Sequence, residues 1–258
     1  MSENTDSISL GRKIFFLHPS VVVQNRVIPE LAQEEFEVYL VKDEVKLKQV
    51  LKKYPDSIVF ACISEGMKED AWEKWILEIM EDSATSDVSI GIVALAENAS
   101  DREKYTEQIK VKCGYNVIKS DIVHFIQHLT TILNSAEAKG RRNYIRLPTE
   151  GDANTIVNIP IQGNFVNGRV KDISVVGFSC SFDEDTELTK NKLFTDVQIR
   201  LHSYLVNVEA IAFGFRMDEM EKTYVMLFTK RIDSNSRSKI RTFIHSALQV
   251  KMDEELKF

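Results

Sequence analysis

Residues 172–177 read Asp172-Ile173-Ser174-Val175-Val176-Gly177, a DxSxxG hexapeptide between two strand-like runs, 164–170 and 177–182. The run at 155–161 alternates apolar and polar positions and is rich in β-branched residues, and Gly163 marks a turn after it. Further strand-like runs follow at 195–201, 204–213 and 223–229. Short strands separated by turn signals predict a six-stranded antiparallel barrel, in which closure removes exposed edges. A helix is predicted over about 236–251, where Ile240, Phe243, Ile244, Ala247 and Leu248 form one apolar stripe.

Upstream of the barrel, helical periodicity stops near 135–140 and a charged, small-residue stretch begins, which predicts a linker over 137–147. It contains Arg141-Arg142-Asn143-Tyr144-Ile145-Arg146, so that Arg142 and Arg146 form RxxxR. The two motifs stand in order, the first on a linker and the second between barrel strands. In this arrangement the C-terminal part, 148–250 with its linker, resembles the PilZ family of receptors for the bacterial second messenger cyclic di-GMP. The resemblance covers roughly 140–249 and does not extend to the first half. It implies a six-stranded antiparallel PilZ barrel with a terminal helix, and a nucleotide site made by Arg142, Arg146, Asp172, Ser174 and Gly177.

The chemistry of those residue types suits that ligand. A guanidinium fork bonds bidentately to phosphate or to the O6/N7 edge of guanine, and it stacks on a base. A carboxylate only accepts, so Asp172 is expected to take guanine N–H groups, with Ser174 donating or accepting at the same base. Gly177 has no side chain, so backbone and ligand can approach closely and the turn can take a positive φ. Arg141 lies outside the spacing and either adds a phosphate contact or faces water. Val176 stands where small residues are frequent in the family, and its side chain would narrow the floor if turned toward the ligand. Each motif has a plainer reading: linker arginines as a solvated hinge, and Asp-x-Ser beside Gly as a turn bonding its own backbone.

The first half alternates strand-like and helix-like segments. Apolar runs at 13–17, 36–41, 57–63, 88–95 and 115–118 alternate with helical stretches around 22–35, 44–53, 68–80, 101–112 and 121–138. This pattern predicts βαβ units and a parallel sheet covered on both faces over 11–136. Five such repeats resemble the flavodoxin-like receiver fold of two-component regulators. The receiver's acidic pocket has no counterpart: the first strand ends in Leu17-His18-Pro19, and the third in Ala61-Cys62-Ile63-Ser64. Only Lys119 matches a receiver position, and its plain reading is a surface lysine at a strand end. The segment is therefore expected to be a pseudo-receiver, a scaffold without phosphoryl chemistry. The Trp72/Trp75 pair is read as core or domain interface.

Charge is unevenly spread. Residues 140–258 carry 17 Lys+Arg against 16 Asp+Glu, which from totals of 33 and 39 leaves 16 and 23, a balance of −7, for 1–139. An acidic half repels phosphates, so a nucleic-acid polymer is not an expected partner. No apolar run is long enough for a membrane span, and residues 1–10 lack a signal pattern. Cys62, Cys113 and Cys180 are too scattered for a disulfide framework or a zinc site and are read as reduced thiols of a cytoplasmic protein. His124 and His128 stand four apart on a helix without the glutamate of a metalloprotease and are read as surface or interface residues. With neither a nucleophile elbow nor a phosphate-cradling glycine loop, no enzyme and no cofactor is expected. The expected function is a cyclic di-GMP effector that changes inter-domain arrangement and signals to a protein of motility, secretion or polysaccharide machinery. The alternative is a ligand-independent adaptor with the same barrel; a phosphorylated response regulator would need an acceptor Asp that the third strand lacks.

Overall fold

The computed structural model describes residues 11–118, 121–140, 143–182, 186–218 and 221–257. Lys119, Arg141 and Arg142 lie outside the described residues. The chain divides into two compact units, one running to Asn143 and resuming at Gln249, the other Tyr144–Leu248.

In the first unit, β1 (Ile14–Leu17), β2 (Val38–Val41), β3 (Ile58–Cys62), β4 (Ser89–Ala94) and β5 (Tyr115–Val117) form one parallel sheet. Its order is β2-β1-β3-β4-β5, the flavodoxin-like order. Every residue of β1, β3 and β4 is buried, as unbroken apolar runs require when helices cover both faces. The helices are α1 (Ile28–Gln33), α2 (Glu44–Lys53), α3 (Glu69–Glu81), α4 (Ala99–Glu103) and α5 (Ile122–Ser135). Asp43, Asn98 and Asp121 accept N–H groups of the first turns of α2, α4 and α5.

The single helices expected over 22–35 and 101–112 each contain a π turn, at Val23–Val27 before α1 and Lys104–Gln108 after α4. The first has a physical reason. Val23, Val27 and Leu31 are all fully buried at a strict four-residue spacing. That spacing outruns the about 3.6 residues per turn of an α-helix, and a wider turn keeps the three in one row against the sheet.

The second unit contains β6 (Leu147–Pro148), β7 (Thr155–Ile161), β8 (Asn164–Ser174), β9 (Gly177–Phe182), β10 (Leu193–Leu201), β11 (Tyr204–Asp218) and β12 (Glu221–Phe228). The order is β6-β8-β7-β10-β11-β12-β9, and β9 pairs again with β8. Six antiparallel strands thus close into a barrel, with the short β6 laid on β8. Gln162 and Gly163, both with positive φ, make the two-residue turn between β7 and β8, as the twist of a hairpin favours. Inward residues of all six strands share one core, to which Ile240, Phe243 and Ile244 of α6 (Ser234–Glu255) contribute. Strands β8 and β11 run further than their sequence patterns suggest, to Ser174 and Asp218.

Candidate functional site

The DxSxxG motif straddles the β8–β9 turn. Asp172 and Ser174 belong to the end of β8, Val175 and Val176 form the turn, and Gly177 opens β9. The pairing of β8 with β9 slips between Val170 and Asp172, where Lys171 forms a bulge. This slip decides where the carboxylate points. Gly168 and Val170 are buried, and unbroken alternation would turn Asp172 into the core after them. Instead Lys171 and Asp172 both face outward and Ile173 is fully buried.

Strand β6 then brings the first motif alongside. Leu147 pairs with Ile173 and Pro148 with Asp172. Proline, which has no N–H to donate, is tolerated on such an edge. Arg146, one residue before β6, places Nη1 3.4 Å from Asp172 Oδ1. On the other side Ser179 Oγ donates to Asp172 Oδ2 at 2.6 Å. Ser179 is 1% exposed. Sequence reasoning overlooked it, although its position two residues after Gly177 sets it opposite Asp172 once β8 and β9 are paired. A carboxylate has about four lone-pair directions, and among the described residues Ser179 donates to one and Arg146 faces another. Lys171 Nζ lies 2.7 Å from Glu221 and 3.4 Å from Glu150.

The other expected site residues are placed differently. Ser174 is buried, its hydroxyl donating to Gly177 O at 3.1 Å and accepting from Val176 N–H at 3.4 Å. It holds the turn, as the plainer reading of Asp-x-Ser has it. Gly177 does not take a positive φ. The turn makes no use of the positive φ that glycine allows, and glycine is required here because strands pack closely. A Cβ at Gly177 would overlap Met226 O and stand 3.2 Å from Leu227 Cα, both on β12. Val176 is exposed at the turn, and its carbonyl accepts from Phe228 N–H at 2.9 Å. Arg142 lies outside the described residues. The structure therefore brings Arg146 to Asp172, with the Ser174 hydroxyl bonded within the turn and Gly177 set against β12.

In the first unit, the crevice beyond β1 and β3, where a parallel sheet of this order receives ligands, is filled by side chains. His18 Nε2 lies 2.9 Å from Glu44 Oε2, and its ring meets Trp72 edge-on at 5.7 Å. Gly66, with positive φ, backs directly onto that ring, where any Cβ would collide with it. Trp72 and Trp75 are core residues, and Trp75 Nε1 donates to Glu44 O at 3.0 Å. Two grooves, of 430 and 620 Å³, lie instead around Tyr115, Asn116 and His128. His128 Nε2 contacts Asn116 Oδ1 and His124 Nδ1 contacts Asp121, so the two histidines do not converge. Among the described residues no cluster of His, Cys, Asp and Glu is arranged to hold a metal ion, and no helix is long and apolar enough to cross a membrane.

No protein-family model and no curated protein matches the chain. Among solved structures it is similar to the PilZ domain of YcgR from Escherichia coli with c-di-GMP, at 13% identity and a TM-score of 0.38 over 45% of this chain and 98% of that one. It is similar to the inhibitor of motility MotI/DgrA of Bacillus subtilis, at 18% identity and a TM-score of 0.37 over 43% of this chain. It is also similar to the MrkH–c-di-GMP complex of K. pneumonia, at 14% identity and a TM-score of 0.39 over 46% of this chain. The chain spans about half the length of the latter two, 52% and 56%. All three similarities stand at low sequence identity.

Proposed function

We propose that the second unit is a PilZ-type domain that binds cyclic di-GMP, and that the chain is an effector of this messenger. The observation that carries the reading is the outward carboxylate of Asp172, held by Ser179 at 2.6 Å and faced by Arg146 at 3.4 Å. A buried-edge acceptor beside a guanidinium is what a guanine with an attached phosphate needs: N–H donors go to the carboxylate, and phosphate or the O6/N7 edge goes to the arginine. Arg142 supplies a second guanidinium from the same segment. Closing these arginines over the nucleotide alters the segment that joins the two units, and a downstream protein of motility, secretion or polysaccharide machinery reads the change. The first unit, a pseudo-receiver on this reading, serves as scaffold.

Isothermal titration of the full chain with cyclic di-GMP, against GTP and cyclic di-AMP, tests this. Saturable, selective binding is expected. Absence of binding, repeated with a direct assay to allow for a silent enthalpy, would overturn it.

A second reading, a ligand-independent protein adaptor, is favoured by Phe213, Phe215 and Met217, all exposed on β11. Apolar side chains grouped in this way mark contact surfaces. Nucleotide-independent partner binding, with no nucleotide bound, would select it.

A further inference from the structure

The outer face that carries Asp172 and Ser179 continues past them. Cys180 and Tyr224 pair in register and point into the core, so their neighbours Ser181 and Thr223 stand side by side facing outward. Arg169 pairs with Ser181 on one flank and Arg216 with Thr223 on the other. Both residues are 1% exposed; the Thr223 hydroxyl has no hydrogen-bond partner, and that of Ser181 is turned to the Glu221 carboxylate. Lys171 enters from the bulge, with its ammonium 2.7 Å from the Glu221 carboxylate. Lys171 first and the Ser181 hydroxyl next, with Arg169 more remotely, hold that carboxyl below its usual range.

We propose that Lys171, Arg169, Ser181 and Thr223 form an anion subsite for a phosphate group, and that Glu221 is its internal occupant and competes with that phosphate. A carboxylate and a phosphate oxygen use the same ammonium and guanidinium donors, and the phosphate offers more acceptor oxygens. A buried hydroxyl without a partner is costly, so an oxygen that reaches Thr223 as well as Ser181 gains where Glu221 does not. The subsite adjoins Asp172 through Lys171, and a nucleotide seated at Asp172 extends along this face. The identification of the anion as a messenger phosphate rests on the function proposed above; the subsite itself does not. Glu221 then sets ligand affinity by occupying the place of a phosphate.

The test uses inorganic pyrophosphate at fixed ionic strength with the full chain, read as the shift of the thermal unfolding midpoint. The proteins are wild type, Glu221→Gln, and Glu221→Gln combined with Lys171→Met. Glu221→Gln is expected to bind pyrophosphate about tenfold tighter than wild type, the factor of roughly one charge-assisted contact, and the double variant is expected to lose the gain. Equal shifts in wild type and Glu221→Gln, or a gain that survives loss of Lys171, would overturn the subsite. Should Glu221→Gln not fold, Glu221→Asp, whose carboxylate is withdrawn, takes its place with the same expectation. Titration of cyclic di-GMP into the same proteins separates the two proposals. If no protein binds nucleotide while the pyrophosphate result stands, the messenger reading fails and the subsite remains. If wild type binds nucleotide while the pyrophosphate shifts are equal, the subsite fails and the messenger reading remains.

Discussion

Arg146 Nη1 lies 3.4 Å from Asp172 Oδ1, and through this pair the segment before β6 meets the end of β8. The Arg146 side chain is 41% exposed and that of Asp172 14%, so the carboxylate is fixed and its partner is freer to rearrange. An ion pair this open to water contributes about 0–1 kcal/mol to folding. Its value to the molecule lies in what the two groups do toward a ligand.

Arg146→Ala is therefore expected to weaken cyclic di-GMP binding by about ten- to a hundredfold, since charge-assisted bonds to a ligand contribute roughly 1.5–3 kcal/mol. Stability should change by less than about 1 kcal/mol. Calorimetric titration beside urea unfolding measures both. Wild-type affinity in the variant would remove Arg146 from the site. Arg146→Lys should recover only part of the loss, because the planar fork is gone.

Ser179→Ala removes the donor at 2.6 Å from Asp172 Oδ2. It leaves a half-satisfied carboxylate on the barrel wall, at a cost of about 1–3 kcal/mol in unfolding free energy. Nucleotide affinity should fall as well, because the acceptor loses its orientation. A variant that unfolds at the wild-type urea midpoint would show that Ser179 does not hold Asp172.

Gly177→Ala places a methyl against Met226 O and Leu227 Cα. Overpacking of this kind typically costs about 1–3 kcal/mol, and it acts on the barrel without any ligand. The thermal midpoint of the ligand-free protein should drop. An unchanged midpoint, with nucleotide binding lost, would instead assign Gly177 to ligand approach.

Acid stability has a local contributor in Asp152. Burial pushes its carboxyl up, but hydrogen bonds from Thr155, the Asn154 N–H and His202 outweigh burial and hold it below the usual range. A carboxyl depressed in the folded state stabilises fully above its unfolded value of about 4 and loses that contribution as pH falls through the folded value. Asp152→Asn should be less stable than wild type at pH 7, and the gap should close as the pH falls through the depressed folded value. Urea unfolding across that range measures it; a gap independent of pH would show that the charge is not involved.

The thiols of Cys62, Cys113 and Cys180 are buried, and burial pushes all three above their usual range. The folded protein should resist alkylation by iodoacetamide at pH 8, with all three reacting in guanidinium chloride. Rapid modification of any of them without denaturant would show that its unit opens locally.

Much of the architecture is written in local pattern. The unbroken apolar runs at β3 and β4 suit only strands covered on both faces, and the alternation at 155–161 suits only a strand with one wet face. Asp121 is legible as a helix cap because the N–H groups it accepts lie two and three residues ahead of it. The π turn before α1 was not legible, since the row of Val23, Val27 and Leu31 acquires meaning only once a sheet lies beneath it.

The candidate site divides in the same way. Sequence by itself determined which groups are near one another in kind: guanidiniums ahead of a barrel strand, and a carboxylate, hydroxyl and glycine at its end. Only the tertiary structure decided their roles. The bulge at Lys171 turns Asp172 outward, and a bulge arises from the register that β8 adopts with β9, the strand paired beside it. Ser179 becomes the partner of Asp172 through that same register. Gly177 is required by the approach of β12, which lies more than forty residues on in sequence. Alternation within one strand is a property of its own backbone, whereas register between strands is set by closure of the whole barrel.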